Sequence, residues 1–284
     1  MSTLCVAAVQ HDIEWLDREA NYDRLAPMIG RAAGAGADLV LLAETFPTGF
    51  TFDTPGIGEP FDGPSSQFLR SQAETHGLWV GGSCPEIPAD NEPGDERPSN
   101  TFVLAGPDGS VHRYRKIHPF TYAGEEKYVR PGEQFVTVEV KGLRLSLFVC
   151  YDLRFADEFW GLAHGTDAYL IVANWPATRR VHWSSLLRAR AIENQAYVVA
   201  SNRIGEGGGP RHPSYAGDSA IVDPWGEVLA EAGREPEVLV AEIDAARVSD
   251  ARARFPVLRD RRTFRVGGAE ETRGAAEPTR LRSA

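Results

Sequence analysis

The stretch Leu143-Arg-Leu-Ser-Leu-Phe-Val-Cys150-Tyr-Asp-Leu-Arg154 joins an apolar segment to an abruptly polar one. Leucine or valine occupies every second position from Leu143 to Val149, which is the period of a β-strand. We therefore predict a strand that ends at Cys150. A thiol at that position lies at the edge of a sheet, beside the free backbone N–H groups of the turn that follows.

Similar apolar runs lie on both sides of this strand and alternate with segments of helical periodicity. Short continuous runs predict buried strands over Leu4–Gln10, Ala37–Ala43 and Ala168–Ala173. Helical spacing predicts helices near Asn21–Ala35, Ser65–Gly77, Asp157–His164 and Val181–Asn194. The turn sequence Gly106-Pro-Asp-Gly109 predicts a hairpin between two strands. This alternation with added hairpins indicates an α/β fold with mixed sheets.

The composition limits the partners that this chain is expected to bind. The 284 residues carry a formal net charge of −10, which argues against nucleic acid or an anionic membrane. The segment Met1–Gln10 lacks a basic region followed by a long apolar stretch, so we expect no signal peptide. The three cysteines, Cys5, Cys84 and Cys150, suit neither a disulfide framework nor a zinc site, which fits a cytoplasmic protein.

Two further charged residues occupy positions that favour a role in catalysis. Glu44 ends the apolar run Val-Leu-Leu-Ala-Glu, where a carboxylate is costly unless it is paired or used. Lys116 follows the predicted hairpin and could hold positive charge over a developing oxyanion. Considered alone, Glu44 could simply cap a turn, Lys116 could be solvated and Cys150 could be a buried structural cysteine.

Together these three contexts resemble the nitrilase superfamily of carbon–nitrogen hydrolases. The matching segments are Leu-Leu-Ala-Glu44-Thr-Phe, Tyr-Arg-Lys116-Ile-His-Pro-Phe and Val-Cys150-Tyr-Asp-Leu-Arg-Phe. Further matches are Ala-Asn-Trp-Pro at 173–176, the segment 188–197, and Gly217-Asp-Ser219 with Asp223-Pro-Trp-Gly226. The resemblance spans roughly residues 4 to 260.

The resemblance implies a four-layer α-β-β-α sandwich in which two mixed sheets pack face to face between outer helices. It implies homodimers, or higher homo-oligomers, in which outer helices pack together, and it implies no metal and no organic cofactor. A second glutamate often joins the site of the family. Spacing favours Glu125 over Glu126 for that position.

The resemblance also implies a mechanism and a substrate. Glu44 would take the proton of the Cys150 thiol, and Lys116 with the backbone N–H of Tyr151 would stabilise the oxyanion. Lys116→Ala is expected to be severely impaired but folded. The cysteine motif is most similar to that of ω-amidases, which hydrolyse the terminal amide of 2-oxoglutaramate or 2-oxosuccinamate. Arg154 is a candidate for binding the substrate carboxylate.

Aromatic residues are candidates for lining the pocket: Phe120, Tyr122 and Trp175. Ordinary core packing is the alternative for them, and a structural ion pair is the alternative for Arg154. Other substrates remain open: deaminated glutathione, an N-carbamoyl amine, an aliphatic amide or a nitrile. Other classes are a catalytically silent binding protein on the same fold and a papain-like Cys/His hydrolase.

The domain organisation follows from where the patterns stop. We predict one carbon–nitrogen hydrolase domain over residues 1–264 and a flexible tail over 265–284, where periodic apolar residues are absent. The glycine-rich segment Gly205–Pro210 is predicted to be a flexible loop within the domain.

Overall fold

The computed structural model describes residues 2–53, 55–91, 94–208 and 213–262. Its strands are β1 Thr3–Gln10, β2 Leu39–Leu41, β3 Trp79–Glu86, β4 Ser99–Ala105, β5 Val111–Arg115, β6 Thr137–Val140, β7 Leu143–Val149, β8 Ala168–Ala173, β9 Tyr197–Asn202, β10 Ile204–Glu206, β11 Ser214–Ala216, β12 Ala220–Val222, β13 Val228–Glu231 and β14 Glu237–Asp244. Its α-helices are α1 Arg18–Gly34, α2 Pro64–His76, α3 Ala156–Leu162, α4 Arg180–Asn194, α5 Ala245–Arg254 and α6 Val257–Asp260.

Most of these strands belong to one of two mixed sheets. The first has the order β14-β1-β2-β3-β4-β5, and the second has the order β13-β12-β9-β8-β7-β6. Strands β1, β2 and β3 run parallel in the first sheet, as do β7, β8 and β9 in the second. The remaining strands pair antiparallel, and β10 with β11 forms a separate hairpin.

The period-two pattern of β1 explains the layers. Val6 and Ala8 pack between the two sheets, in a core that also contains residues of β7 and β8. Ala7 and Val9 point to the other face, against apolar residues of α1 and α2. Helices α3 and α4 pack against the outer face of the second sheet through residues such as Phe159 and Leu187. The predicted α-β-β-α sandwich is therefore confirmed.

The strand predicted over Ala37–Ala43 is shorter in the structure. Only Leu39–Leu41 forms β2, with Val40 paired to Val80 of β3. The chain then leaves the sheet in a turn in which Thr45 adopts a φ of 40°. Glu44 is consequently presented by this turn and not by the strand itself.

The segment predicted as a flexible loop, Gly205–Pro210, instead begins in β10. Gly205 has a φ of 83°, and a Cβ at this position would lie 2.2 Å from Oδ1 of Asp12. Close backbone approach therefore requires this glycine. Residues 209–212 and the predicted tail 265–284 lie outside the described residues. In the described ranges, no helix has the length and apolar character needed to cross a membrane.

Candidate active site

The structure brings together four of the side chains selected from the sequence. Glu44 follows β2, Lys116 follows β5, and Cys150 follows β7 directly. Glu125 comes from a short helical turn beyond Lys116. All four are buried, at 9% exposure or less. Residues separated by as many as 106 positions thus meet at one edge of the sandwich.

Lys116 is held between two carboxylates. Its Nζ lies 2.9 Å from Oε1 of Glu44 and 2.9 Å from Oε2 of Glu125. The side-chain amide of Asn100 donates to both carboxylates as well, at 2.8 Å to Glu44 and 3.2 Å to Glu125. The lysine charge is therefore fixed in position by two anions that are themselves hydrogen-bonded.

Glu44 also contacts the backbone of Asn174 and the thiol of Cys150. The backbone N–H of Asn174 donates to Oε2 of Glu44 at 2.8 Å, and the Cys150 side chain hydrogen bonds to the same carboxylate. The Asn174 side chain donates to Oγ1 of Thr45 at 2.7 Å. Glu44 therefore binds the ammonium group of Lys116 through Oε1 and the backbone of Asn174 through Oε2, and the same carboxylate contacts the Cys150 thiol.

Electrostatics keep the lysine charged. Burial alone would lower the pKa of Lys116, but the carboxylates of Glu125 and Glu44 raise it above its ordinary value. Burial raises the pKa of Glu125, Lys116 opposes that rise, and the nearby Glu44 adds to it. Lys116 is a permanent cation in this site.

The surroundings of the Cys150 thiol favour its protonated form. Burial raises the pKa of Cys150 well above its ordinary value, and Glu44 raises it further, whereas Lys116 lowers it. A thiol in this environment needs a base to become nucleophilic, and Glu44 is the group in contact with it. Cys150 also has a φ of 45°, a strained conformation for a residue other than glycine.

The buried carboxylate of Asp152 stabilises this strained turn. Its Oδ2 accepts from the backbone N–H of Val149 at 3.1 Å and from the hydroxyl of Tyr114 at 2.8 Å. Its Oδ1 accepts from the backbone N–H of His118 at 3.0 Å and lies 3.0 Å from Nδ1 of the same residue. Asp152 thus joins the turn that presents Cys150 to the segment that presents Lys116.

Asp152→Asn should weaken both the fold and the site. An amide NH₂ would face donors that a carboxylate oxygen now accepts from, so we expect the free energy of unfolding to fall by about 1–3 kcal/mol. A displaced thiol should lower the turnover number by at least about tenfold. Urea denaturation and a steady-state assay would measure both effects. Asp23→Asn removes an exposed carboxylate on α1 and is the control. Ordinary stability and turnover in Asp152→Asn would contradict this role.

A cavity of about 560 Å³ opens onto Cys150, a volume that suits a small molecule. The three aromatic residues predicted to line a pocket, Phe120, Tyr122 and Trp175, lie in its wall, and so does Arg154, the candidate for binding the substrate carboxylate. Tyr151 also contributes to its wall. Glu126, the glutamate that spacing disfavoured, is exposed and not part of this cluster.

No histidine of the described chain replaces Glu44 as the partner of the thiol. The imidazole of His118 lies 3.2 Å from Glu158 through Nε2, in addition to its contact with Asp152. His182 lies 3.3 Å from Arg154, and His212 is outside the described residues. The described part of the chain also contains no cluster of His, Cys, Asp and Glu that could hold a metal ion.

Sequence reasoning missed three polar residues of this site. Asn174 follows β8 directly, as Cys150 follows β7, so the same rule of a polar residue after an apolar run could have identified it. Asn100 and Asp152 give no such signal, because their positions within β4 and the cysteine turn do not reveal which side chains they contact.

A strained buried cysteine, an adjacent carboxylate and a clamped lysine at one edge of an α-β-β-α sandwich define a class of hydrolase. The model of the carbon–nitrogen hydrolase family matches residues 5–253, and the chain belongs to this family. It is a hydrolase that acts on amides.

Individual proteins of known name or structure are similar to the chain over nearly its whole length. The chain is 35% identical to omega-amidase YafV of Escherichia coli strain K12, over 94% of this chain and 100% of that protein. It is 34% identical to a 2-oxoglutaramate amidase of Bacillus subtilis, over 90% and 96%. Among solved structures, XC1258 of Xanthomonas campestris, described as a CN-hydrolase superfamily protein with an arsenic adduct in the active site, aligns with a TM-score of 0.86. It is 35% identical, with 94% of this chain and 100% of that chain covered.

Proposed function

We propose that this protein cleaves the terminal amide of a small ω-amide of a dicarboxylic acid, of the 2-oxoglutaramate or 2-oxosuccinamate type, and releases ammonia. The observation that carries the proposal is the contact of Glu44 with both the Cys150 thiol and Lys116, whose Nζ lies 2.9 Å from Glu44. The activities named for the relatives in Escherichia coli and Bacillus subtilis support the choice of substrate.

In the first half of the reaction, Glu44 accepts the thiol proton and the Cys150 thiolate attacks the amide carbon. The C–N bond then breaks as Glu44 returns this proton to the departing nitrogen, which leaves as ammonia. The acyl group remains on the sulfur as a thioester. The raised pKa of the thiol makes this base necessary, because little thiolate exists without it.

In the second half, a water molecule gives a proton to Glu44 and attacks the thioester carbon. The C–S bond breaks, the carboxylic acid leaves, and the thiol regains its proton. Glu44 thus serves as base and acid in both halves.

The charge that develops on the carbonyl oxygen is stabilised by Lys116 and by the backbone N–H of Tyr151. Because Lys116 is fixed before substrate binds, no reorganisation is needed when the oxyanion forms. Glu125 holds the lysine from its other side, and the backbone N–H of Phe120 donates to Glu125 at 2.5 Å. Glu125 therefore orients the cation through one oxygen that accepts from both groups.

The walls of the cavity would bind the remainder of the substrate. Phe120 and Tyr122 contact each other with ring centroids 5.7 Å apart, and Trp175 lies below the guanidinium of Arg154 at 4.6 Å. We assign Arg154 to the substrate carboxylate, because a planar guanidinium can donate two parallel hydrogen bonds to it.

An ammonia-release screen tests this function. The substrates are 2-oxoglutaramate, 2-oxosuccinamate, deaminated glutathione, an N-carbamoyl amine, an aliphatic amide and a nitrile, each with wild type and Cys150→Ser. We expect the highest kcat/KM with one of the two 2-oxo ω-amides. Release of carbon dioxide together with ammonia would indicate a carbamoyl substrate instead. No ammonia from any compound would contradict the proposal and favour a silent binding protein.

We further propose that residues 1–264 act as one domain and that the protein is a cytoplasmic homodimer. Exposed apolar side chains support self-association. Val181 and Ile192 of α4 are 73% and 53% exposed, and Trp225, in the turn between β12 and β13, is 41% exposed. The charge of −10 disfavours nucleic acid and anionic membranes as partners. Sedimentation at micromolar concentration would contradict the dimer if only the monomer mass were found.

A further inference from the structure

Two arginines line the cavity without a carboxylate partner in the described part of the chain. Arg154 lies in the turn after β7, and Arg179 lies in the turn after β8. Among the residues that the structure describes, neither has an ion-pair partner, whereas the next residue, Arg180, pairs with Asp218 at 2.5 Å. Of these two neighbouring arginines, Arg180 is neutralised by Asp218, whereas Arg179 faces the cavity.

The other charges of the cavity do not neutralise this pair. Lys116 and Glu125 are engaged with each other, and within the described residues the Asp53 carboxylate, although it lines the cavity, forms no ion pair with either arginine. Burial lowers the pKa of Arg154, and the charge of Arg179 lowers it further. Two guanidinium groups close enough to repel each other are stabilised by an anion placed between them.

Aromatic rings fix the orientation of both guanidinium groups. Arg179 lies 5.3 Å from the ring centroid of Phe120 and 5.8 Å from that of Tyr122. Arg154 lies 4.6 Å from the centroid of Trp175. Ring contacts leave the N–H groups at the edge of each guanidinium available to a ligand.

The backbone of Arg179 is fixed as well. The indole Nε1 of Trp175 donates to the carbonyl oxygen of Arg179 at 2.8 Å. Phe120, against which the guanidinium lies, donates its backbone N–H to Glu125. Phe120 therefore lies between the Arg179 guanidinium and Glu125, the carboxylate that binds Lys116.

We propose that Arg179 determines substrate specificity by binding, together with Arg154, the carboxylate of the substrate at the end remote from the cleaved amide. The class of substrate that fits is an acyclic amide with a terminal carboxylate, and a neutral amide of equal length is disfavoured. The inference rests on the proposed function and assigns to Arg179 a role that the sequence did not suggest.

The test compares glutaramate with pentanamide, which share a five-carbon chain and differ in the terminal carboxylate. In Arg179→Gln, kcat/KM for glutaramate is expected to fall by about 10- to 100-fold, because a hydrogen-bonded ion pair is lost. The loss should be mainly in KM, and kcat/KM for pentanamide should change by less than about threefold. Arg234→Gln, which removes an exposed arginine of the turn between β13 and β14, is the charge-matched control.

Glutarate binding, measured by calorimetry, gives a second readout that needs no turnover. Arg179→Gln should weaken it by a similar factor, and Arg234→Gln should not. Equal losses with glutaramate and pentanamide, or unchanged glutarate affinity, would overturn the role of Arg179 while leaving the proposed hydrolysis intact. If no amide is hydrolysed but glutarate binding depends on Arg179, the proposed function fails and the carboxylate site stands.

Discussion

Cys150→Ser is expected to lower kcat/KM for amide hydrolysis by about 10⁴- to 10⁶-fold. A serine hydroxyl is far harder to deprotonate than a thiol, and Glu44 is placed to act on the larger sulfur atom. The fold should be retained, because serine is smaller and can still donate to Glu44. Ammonia release measures the activity loss, and circular dichroism checks the fold.

The thioester intermediate allows a second measurement of the effect of Cys150→Ser. Wild-type protein quenched with acid during turnover should carry a covalent acyl group on the peptide that contains Cys150, and Cys150→Ser should carry none. Cys5→Ser, which replaces the thiol on β1, is the matched control and should behave as wild type. Turnover by Cys150→Ser within tenfold of wild type would disprove a cysteine nucleophile.

Lys116→Met is expected to lower both the turnover number and the free energy of unfolding. The loss of an oxyanion donor should lower kcat by about 10²–10³-fold. From the sequence alone, alanine at this position is expected to produce an impaired but folded variant. The structure adds a cost, because Glu44 and Glu125 would keep their buried charges without the cation between them. Removing one partner of a buried ion pair typically costs about 3–5 kcal/mol.

The loss of unfolding free energy in Lys116→Met should depend on pH. Burial already raises the pKa of Glu125 above its ordinary value of 4.5, and loss of Lys116 removes the group that lowers it. A carboxyl group whose pKa is higher in the folded than in the unfolded state binds more protons when folded, so the stability falls as pH rises through that interval. The difference in unfolding free energy between wild type and Lys116→Met should therefore be larger at pH 8 than at pH 5.

Urea denaturation at the two pH values measures this difference. Lys127→Met removes an exposed lysine of the same segment and should leave stability nearly unchanged. If Lys116→Met does not fold at all, Lys116→Arg retains the charge and should fold with reduced kcat. A Lys116→Met variant whose unfolding free energy matched that of wild type at pH 8 would contradict a stabilising role for the ion pairs of Lys116 with Glu44 and Glu125.

The amino-acid sequence by itself determined most of the strands and the positions after them that carry reactive side chains. The alternation from Leu143 to Val149 and the break at Cys150 predicted β7 and its terminal thiol, because the change from apolar to polar residues coincides with the end of this buried strand. The run ending at Glu44 indicated a second reactive position, although the strand itself ends at Leu41 and a turn presents the carboxylate. Helix α4 and strand β8 were likewise predicted within a residue of their observed bounds.

Only the tertiary structure decided which of these groups meet and which charges remain unpaired. Asn100 contacts Glu44 across 56 positions, and Asp152 joins two segments that the sequence places 34 positions apart. Arg179 and Arg180 are adjacent and chemically identical, yet one pairs with Asp218 and the other lines the cavity. The physical reason is that local patterns report burial and period, whereas pairing depends on long-range packing that brings distant backbone segments to hydrogen-bonding distance.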